Sequence, residues 1–208
     1  MGADHYFSSQ PSTPQKRRPL TVRLAGEERR LQTAGGIFSP DGVDKGTTIL
    51  LADAPPPSPT GNLLDIGCGW GPIALTLALR SPDAMVYAVD VNERSIELTN
   101  DNAASLGLAN VLASTPDAVD PELRFDTIWS NPPIRVGKAE LHSVLLMWLP
   151  RLAKGGTAYL VVQKNLGADS LQRWLTTELT EQFPDAGFKV SRDSTSKAFR
   201  ILKVTRTA

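Results

Sequence analysis

The residues best suited to chemistry fall in three short stretches: "LLDIGCGWGP" at 63–72, "YAVD" at 87–90 and "WSNPPIRVG" at 129–137. In the third, a run that reads as a buried strand ends in Asn131-Pro132-Pro133. Proline fixes φ and has no N–H, and the residue before a proline is pushed to an extended conformation. Asn131 and Pro132 are therefore both restrained, and the segment offers the Asn131 side-chain oxygen and backbone carbonyls as acceptors. Such acceptors suit an –NH₂ group. An amino group on a purine or an amide is a poor nucleophile because its lone pair is delocalised. Two acceptors holding its N–H bonds favour a pyramidal nitrogen and aim its lone pair, which lowers a barrier by positioning and by stabilising positive charge on nitrogen. Asn-Pro is also a common turn pair, so its surroundings decide between the two readings.

In the first stretch, Gly67, Gly69 and Gly71 stand between a strand and a helix. Glycine permits positive φ and close approach of a ligand to the backbone, and the helix beyond offers free N–H groups. Loops of this kind also serve NAD and FAD. Two details point elsewhere. Asp65 precedes the first glycine, where an anion repels a pyrophosphate but suits a cationic, amino-bearing ligand. The pattern is D-x-G-x-G-x-G rather than G-x-G-x-x-G. Asp90 ends the next strand, at the sheet's carboxyl edge, where a carboxylate can grip both hydroxyls of a ribose. Together these features favour S-adenosylmethionine over a nicotinamide cofactor.

On these residues the chain resembles the class I S-adenosylmethionine-dependent methyltransferases. The resemblance implies that Asp65, Gly67, Cys68 and Gly69 surround the methionine end. It places Asp90 and Val91 at the ribose, and Asp117 and Ala118 after the third strand near adenine; Asp117 also reads as a turn residue. Asn-Pro-Pro is similar to the motif of enzymes that methylate planar amino nitrogens, with Asn131, Pro132 and Pro133 catalytic and Asn131 also bordering the cofactor. "GGIFSPDGVDKGTTILL", "NPPIRVGKAELHSVL", "VVQKNLGADSLQRWL" and the opening "HYFS" resemble one group, related to ribosomal RNA small-subunit methyltransferase C, which acts on guanine N2. That resemblance implies that Phe38, Lys45, Gly46 and Thr47 border the pocket, and that ribosomal RNA or a ribosomal subunit particle is the partner. Many relatives carry an aromatic directly after Asn-Pro-Pro. Here Ile134 takes that place, followed by Arg135, which could stack or grip phosphate, and Phe38 is the expected stacking residue instead. Lys164, after the fifth core strand, reads as a phosphate contact or a solvated lysine. The alternatives are a protein-glutamine or small-molecule N-methyltransferase, or a cofactor-binding RNA assembly factor without turnover.

The elements that must hold these residues alternate along the chain. Residues 8–19 read as a loose basic arm, followed by a hairpin around Gly26, a glycine-rich loop and a short helix. "APPPSPTG" at 54–61 is a breaker cluster. It divides an N-terminal part, 1–60 (arm, hairpin and short helix packed on the core), from a cofactor-binding domain, 61–208. Beyond it, strands and helices alternate, which predicts a mostly parallel sheet covered on both faces. Residues 139–153 predict a helix stopped by Gly155-Gly156, and two final strands pair as a hairpin. The expected architecture is α/β: a Rossmann-like methyltransferase fold with a mostly parallel seven-stranded sheet plus an N-terminal β-hairpin extension.

The chain has 208 residues, with 22 Lys and Arg against 22 Asp and Glu. A net charge of zero provides no global field for nucleic acid, so any such contact must use local patches. These are Lys16, Arg17 and Arg18, and the group Lys197, Arg200, Lys203 and Arg206. One cysteine rules out an internal disulfide and a cysteine-based zinc site, and no metal is expected. The N-terminus lacks the pattern of a signal peptide and no run reaches the length of a membrane span, so a cytoplasmic protein is expected. His142 reads as a helix-surface histidine rather than a catalytic base.

Overall fold

The computed structural model describes residues 16–208. The "HYFS" opening and residues 8–15 of the expected arm lie outside the described residues. Arg17, Arg18 and Pro19, expected in the arm, belong instead to the first strand. Strands β1 (Arg17–Leu24) and β2 (Glu27–Ala34) form an antiparallel hairpin turning at Ala25-Gly26. Its inward Leu24 and Leu31 are almost fully buried, together with Trp70 and Leu98 of the core. Helix α1 (Lys45–Asp53) follows, capped by the Asp44 side chain.

The main sheet contains β3 (Thr60–Ile66), β4 (Asp83–Val89), β5 (Val111–Ser114), β6 (Phe125–Ser130), β7 (Leu152–Gln163), β8 (Phe188–Ser196) and β9 (Phe199–Arg206). Their spatial order is β5-β4-β3-β6-β7-β9-β8. The first five are parallel, and β9 runs antiparallel to both β7 and β8. Helices α2 (Pro72–Arg80), α3 (Glu93–Ser105), α4 (Lys138–Trp148) and α5 (Ala168–Gln182) complete the fold. Among the described residues no helix is long and apolar enough to cross a membrane.

Side-chain alternation along the strands divides the core between the two faces. Leu64, Ile128 and Leu160 pack with Leu145 and Trp148 of α4 and with Leu171, Leu175 and Leu179 of α5. Leu63, Trp129 and Val161 pack with Leu50 of α1 and with Ile73, Ala74 and Leu77 of α2. The four-residue spacing in α5 places one leucine per turn on one stripe. Each such burial stabilises by about 1.5–3 kcal/mol relative to exposure. Phe125 meets Trp148 edge to face at 6.1 Å.

One expected boundary is corrected. Gly155-Gly156 does not stop α4: that helix ends at Trp148, a tight turn over Leu149–Arg151 contains Pro150, and β7 already starts at Leu152. The two glycines lie where the β6–β7 register shifts, between the Phe125–Leu152 and Thr127–Thr157 pairs. A Cβ on Gly156 would sit 2.7 Å from the Phe125 carbonyl oxygen, so close backbone approach in the sheet, rather than helix termination, accounts for glycine there.

Candidate functional site

The chain runs outward from β3 through β4 to β5, then returns to β6 on the other side of β3. That reversal opens a crevice at the carboxyl ends of β3 and β6, the usual ligand position in open α/β sheets. The register places Ile66 opposite Ser130, so Gly67 and Asn131 leave the sheet side by side. The Ser130 hydroxyl ties the strand ends together by donating to the Ile66 carbonyl at 2.8 Å. On the other flank Ile66 pairs with Val89, which brings Asp90 to the same edge.

The glycine loop is held by its own amides. Gly67 N and Cys68 N both donate to the Val89 carbonyl, at 2.8 and 3.1 Å. Gly69 N donates to Asp90 Oδ2 at 3.0 Å and Asn92 N to Asp90 Oδ1 at 2.9 Å. Burial pushes the Asp90 carboxyl above its usual range, while these bonds pull it back down. Gly67 has φ +80° and open space where a Cβ would be. Only glycine takes that backbone without strain, and the space beside it is free for a ligand.

A cavity of about 470 Å³ lies against this edge, within the range of small-molecule sites. Gly67, Asp90 and Val91 line one part of it, and Asn131, Pro132, Pro133 and Ile134 another. Phe38, 39% exposed, also borders it. Asp44, Ser95 and Pro116 also line it, and Glu140, Ser143, Met147, Gln163, Leu166 and Phe199 reach it from α4 and the ends of β7 and β9. An open glycine turn beside a carboxylate, in a cavity of this size, fits a nucleoside-bearing ligand.

Asn131 is a polar side chain of the wall held by two bonds. Its Nδ2 donates to Asp44 Oδ2 at 2.9 Å and to Thr47 Oγ1 at 3.1 Å. Both donors of the amide are thereby engaged, and Oδ1 is left as the acceptor. Pro132 O already accepts from Ile134 N at 2.8 Å, and Pro133 O from Val136 N at 3.2 Å. The backbone carbonyls expected to be free acceptors therefore each carry one internal bond.

Other expected residues do not line this cavity, although Thr47, Cys68 and Gly69 border a small adjoining one with Gly67 and Asn131. Asp65 is fully buried behind the loop rather than in the cavity wall, and its Oδ2 accepts from Ala74 N at 3.0 Å at the start of α2. Burial, with Asp90 adding repulsion, pushes its carboxyl up to about 8. Its burial thus disfavours the anion expected from sequence. The Cys68 side chain is buried and accepts from Thr99 Oγ1 at 3.4 Å. Pro116 reaches the cavity, whereas Asp117 and Ala118 beside it are exposed and do not line it. Thr47 is buried behind Asn131, while Lys45 is exposed and outside the lining. Lys164 is exposed too, its place in the wall taken by Gln163 and Leu166. The Arg135 side chain lies outside the described residues. His142 stacks on Trp174 at 3.3 Å and does not line the cavity.

The basic patches are largely paired. Arg17 bonds Asp101 and lies 3.6 Å from Glu97, and Arg18 bonds Asp41. Arg200 is buried and pairs with Asp169, and Lys203 lies over the Tyr159 ring.

Sequence reasoning passed over Asp44 and Phe199. An Asp just before an apolar helical run is a cap signal, so Asp44 was visible as a cap but not as a partner of Asn131, 87 positions away. Nothing local marks Phe199.

Residues 28–192 match the model of the methyltransferase small domain family. The uncharacterized protein YbxB of Bacillus subtilis (strain 168) is 36% identical over 171 residues, covering 81% of this chain and 85% of that protein. Ribosomal RNA small subunit methyltransferase C of Klebsiella pneumoniae subsp. pneumoniae is 36% identical over 107 residues, which is 51% of this chain but 31% of that protein. The structure of the T. thermophilus 16S rRNA N2 G1207 methyltransferase (RsmC) in complex with AdoMet and guanosine aligns with a TM-score of 0.72 and 25% identity, over 94% of this chain and 52% of that one. The chain thus matches about a third of one named methyltransferase's length and about half of the other's. The family match runs from β2 into β8 and takes in the glycine loop, Asp90 and Asn131: the chain belongs to the methyltransferase small domain family.

Proposed function

We propose that this chain is an S-adenosylmethionine-dependent methyltransferase acting on an exocyclic amino group, namely guanine N2 of ribosomal RNA. The observation that carries the reading is the Asn131 amide: its N–H groups are bonded to Asp44 and Thr47, and its oxygen is left to accept from an amino group. When bound, S-adenosylmethionine supplies a methyl group on a cationic sulfur that leaves as a neutral thioether. Asp90 accepts from ribose hydroxyls beside the bonds it already takes from Gly69, Asn92 and Ser95. Asn131 Oδ1, with the remaining lone pairs of the Pro132 and Pro133 carbonyls, holds the target N–H bonds, favours a pyramidal nitrogen and stabilises its developing positive charge. No strongly basic side chain is required, since the product nitrogen releases its surplus proton to water. Phe38 and Phe199 offer the aromatic faces that Ile134 does not, which suits an unstacked base. The RNA class draws support from the named relatives, one of them solved with guanosine.

The test is transfer of tritiated methyl groups from S-adenosylmethionine to unmodified small-subunit ribosomal RNA, to small subunits reconstituted on it, and to release factors, followed by nucleoside analysis. Label in N2-methylguanosine is the expected outcome. Label in protein alone would replace this reading with the protein-glutamine one.

A further inference from the structure

Nothing within Asn-Pro-Pro decides which way the Asn131 amide faces. Its nitrogen and oxygen edges are nearly equal in size and interchange by a half-turn of the terminal bond. Only the oxygen-inward state accepts from an amino group. We propose that Asp44 is the positioning residue that sets this state, acting through Asn131; the inference rests on the amino-methylation reading above.

Three hydrogen bonds converge on one oxygen, Asp44 Oδ2. They come from Gly46 N at 2.7 Å, Thr47 N at 3.4 Å and Asn131 Nδ2 at 2.9 Å. An ionised carboxylate only accepts, so the amide edge that faces it must be the nitrogen; the reversed amide would oppose two acceptors. Thr47 Oγ1, also near Nδ2, can donate or accept and does not discriminate. Asp44 is itself fixed, because as N-cap of α1 it is held by the free amides of the first turn. Gly46 lets this helix end come close: an added Cβ would lie 3.0 Å from Asp44 Oδ2, 3.2 Å from the Phe199 ring and 3.4 Å from Asn131 Nδ2. The order of control therefore runs from the α1 terminus to Asp44, and from Asp44, itself at the cavity wall, to the Asn131 amide.

Two substitutions separate this role from capping and from charge. Serine caps helices well but is too short to reach Asn131. Asparagine must turn its oxygen toward Gly46 N, so it still accepts from Asn131 Nδ2. Asp44→Ser should lower kcat for methyl transfer to the reconstituted small subunits by about 10–100-fold, the range of one charge-assisted hydrogen bond. Its affinity for S-adenosylhomocysteine should change by less than about threefold, whereas Asp44→Asn should keep kcat within about fivefold of the parent. On an Asn131→Ala background, Asp44→Ser should add almost nothing, since residues acting through one contact are non-additive. Independently of activity, the Asn131 side-chain amide signals in ¹⁵N spectra should be protected from exchange in the parent and in Asp44→Asn, and solvent-like in Asp44→Ser. The proposal is overturned if Asp44→Ser keeps kcat, if Asp44→Asn falls as far as Asp44→Ser, if the full loss persists without Asn131, or if the parent amide is already solvent-like. Full turnover in Asn131→Ala alone would instead defeat the amino-methylation reading itself.

Discussion

Replacing Asp65 with asparagine should change how stability depends on pH, and the direction follows from the burial of a single carboxyl. Asp65 is fully buried, its Oδ2 accepts from Ala74 N, and its Oδ1 has no hydrogen-bond partner among the described residues. Desolvation is the largest influence and raises its pKa from 3.8 to about 8; the Ala74 bond lowers it and Asp90 raises it further. Between those two values the native state holds a proton that the unfolded chain has released. Stability depends on pH as the protons bound in the unfolded state minus those bound in the native state, a negative difference here, so stability falls as pH rises through this window. The contribution is fully present below pH 3.8 and lost by about pH 8. The slope is about 1.4 kcal/mol per pH unit, or about 2.7 kcal/mol from pH 5 to pH 7. The asparagine of the Asp65→Asn variant cannot ionise, and its oxygen can still accept from Ala74 N. Urea unfolding of the parent and of Asp65→Asn at pH 5, 6, 7 and 8 measures the difference directly. With a urea slope of about 2 kcal/mol/M, the parent midpoint should fall relative to the variant by roughly 1 M between pH 5 and 7. Parallel profiles, or a parent that gains on the variant as pH rises, would show that Asp65 is ionised in the native state and that its burial has been misjudged.

Asp90→Ala should weaken S-adenosylhomocysteine binding by at least about 100-fold in calorimetry, because it removes a cavity-wall carboxylate and the acceptor that holds Gly69 N; unaltered affinity would remove Asp90 from the cofactor site. Gly61→Ala should cost about 1–3 kcal/mol in chemical unfolding, since Gly61 has φ +81° and its added Cβ would lie 2.0 Å from Asp126 Oδ2; a stability within about 0.5 kcal/mol of the parent would contradict that geometry. The Cys68 thiol is 2% exposed and its pKa is raised by burial, then by Asp90 and Asp65, so a thiol reagent should label the native protein at least about 100-fold more slowly than the urea-unfolded chain; comparable rates would mean that the glycine loop opens readily.

The site was legible in sequence wherever one residue carries its own constraint. Gly67 announces a positive φ, Asp90 ends a strand that reads clearly as apolar, and the paired prolines announce a stiff exit from β6. The seven-stranded sheet and the hairpin followed from the same alternation of patterns. What sequence did not show are contacts between distant segments. Asp44 and Asn131 meet only because α1 lies beside the carboxyl ends of β3 and β6, and Phe199 reaches the cavity only because β9 pairs with β7, opposite Gln163. The burial of Asp65 behind the loop was not legible for a related reason. Position before a glycine loop does not say whether a carboxylate faces the ligand or the next helix, and here the free Ala74 amide of α2 takes it. The glycine pair at 155–156 was read as a helix stop because glycine marks both helix ends and sheet irregularities, and only the strand register separates them.

The prolines and the Asp44 contact act together on one physical property of the Asn131–Ile134 edge of the cavity wall, its lack of donors. Pro132 and Pro133 have no N–H, the next amide, Ile134 N, is already bonded to Pro132 O, and both side-chain N–H groups of Asn131 are held by Asp44 and Thr47. From the Asn131 side chain through Ile134 N, this edge can therefore only accept hydrogen bonds. A planar substrate presenting a carbonyl there would place acceptor against acceptor and lose its bonds to water without replacement, at a cost of about 1–3 kcal/mol per unpaired group. One presenting an amino group makes its bonds without rearrangement. On the proposed amino-methylation reading, discrimination between a keto and an amino edge therefore starts at this edge of the wall. A change that turns the Asn131 amide around would reverse this preference at that position while leaving the shape of the cavity intact.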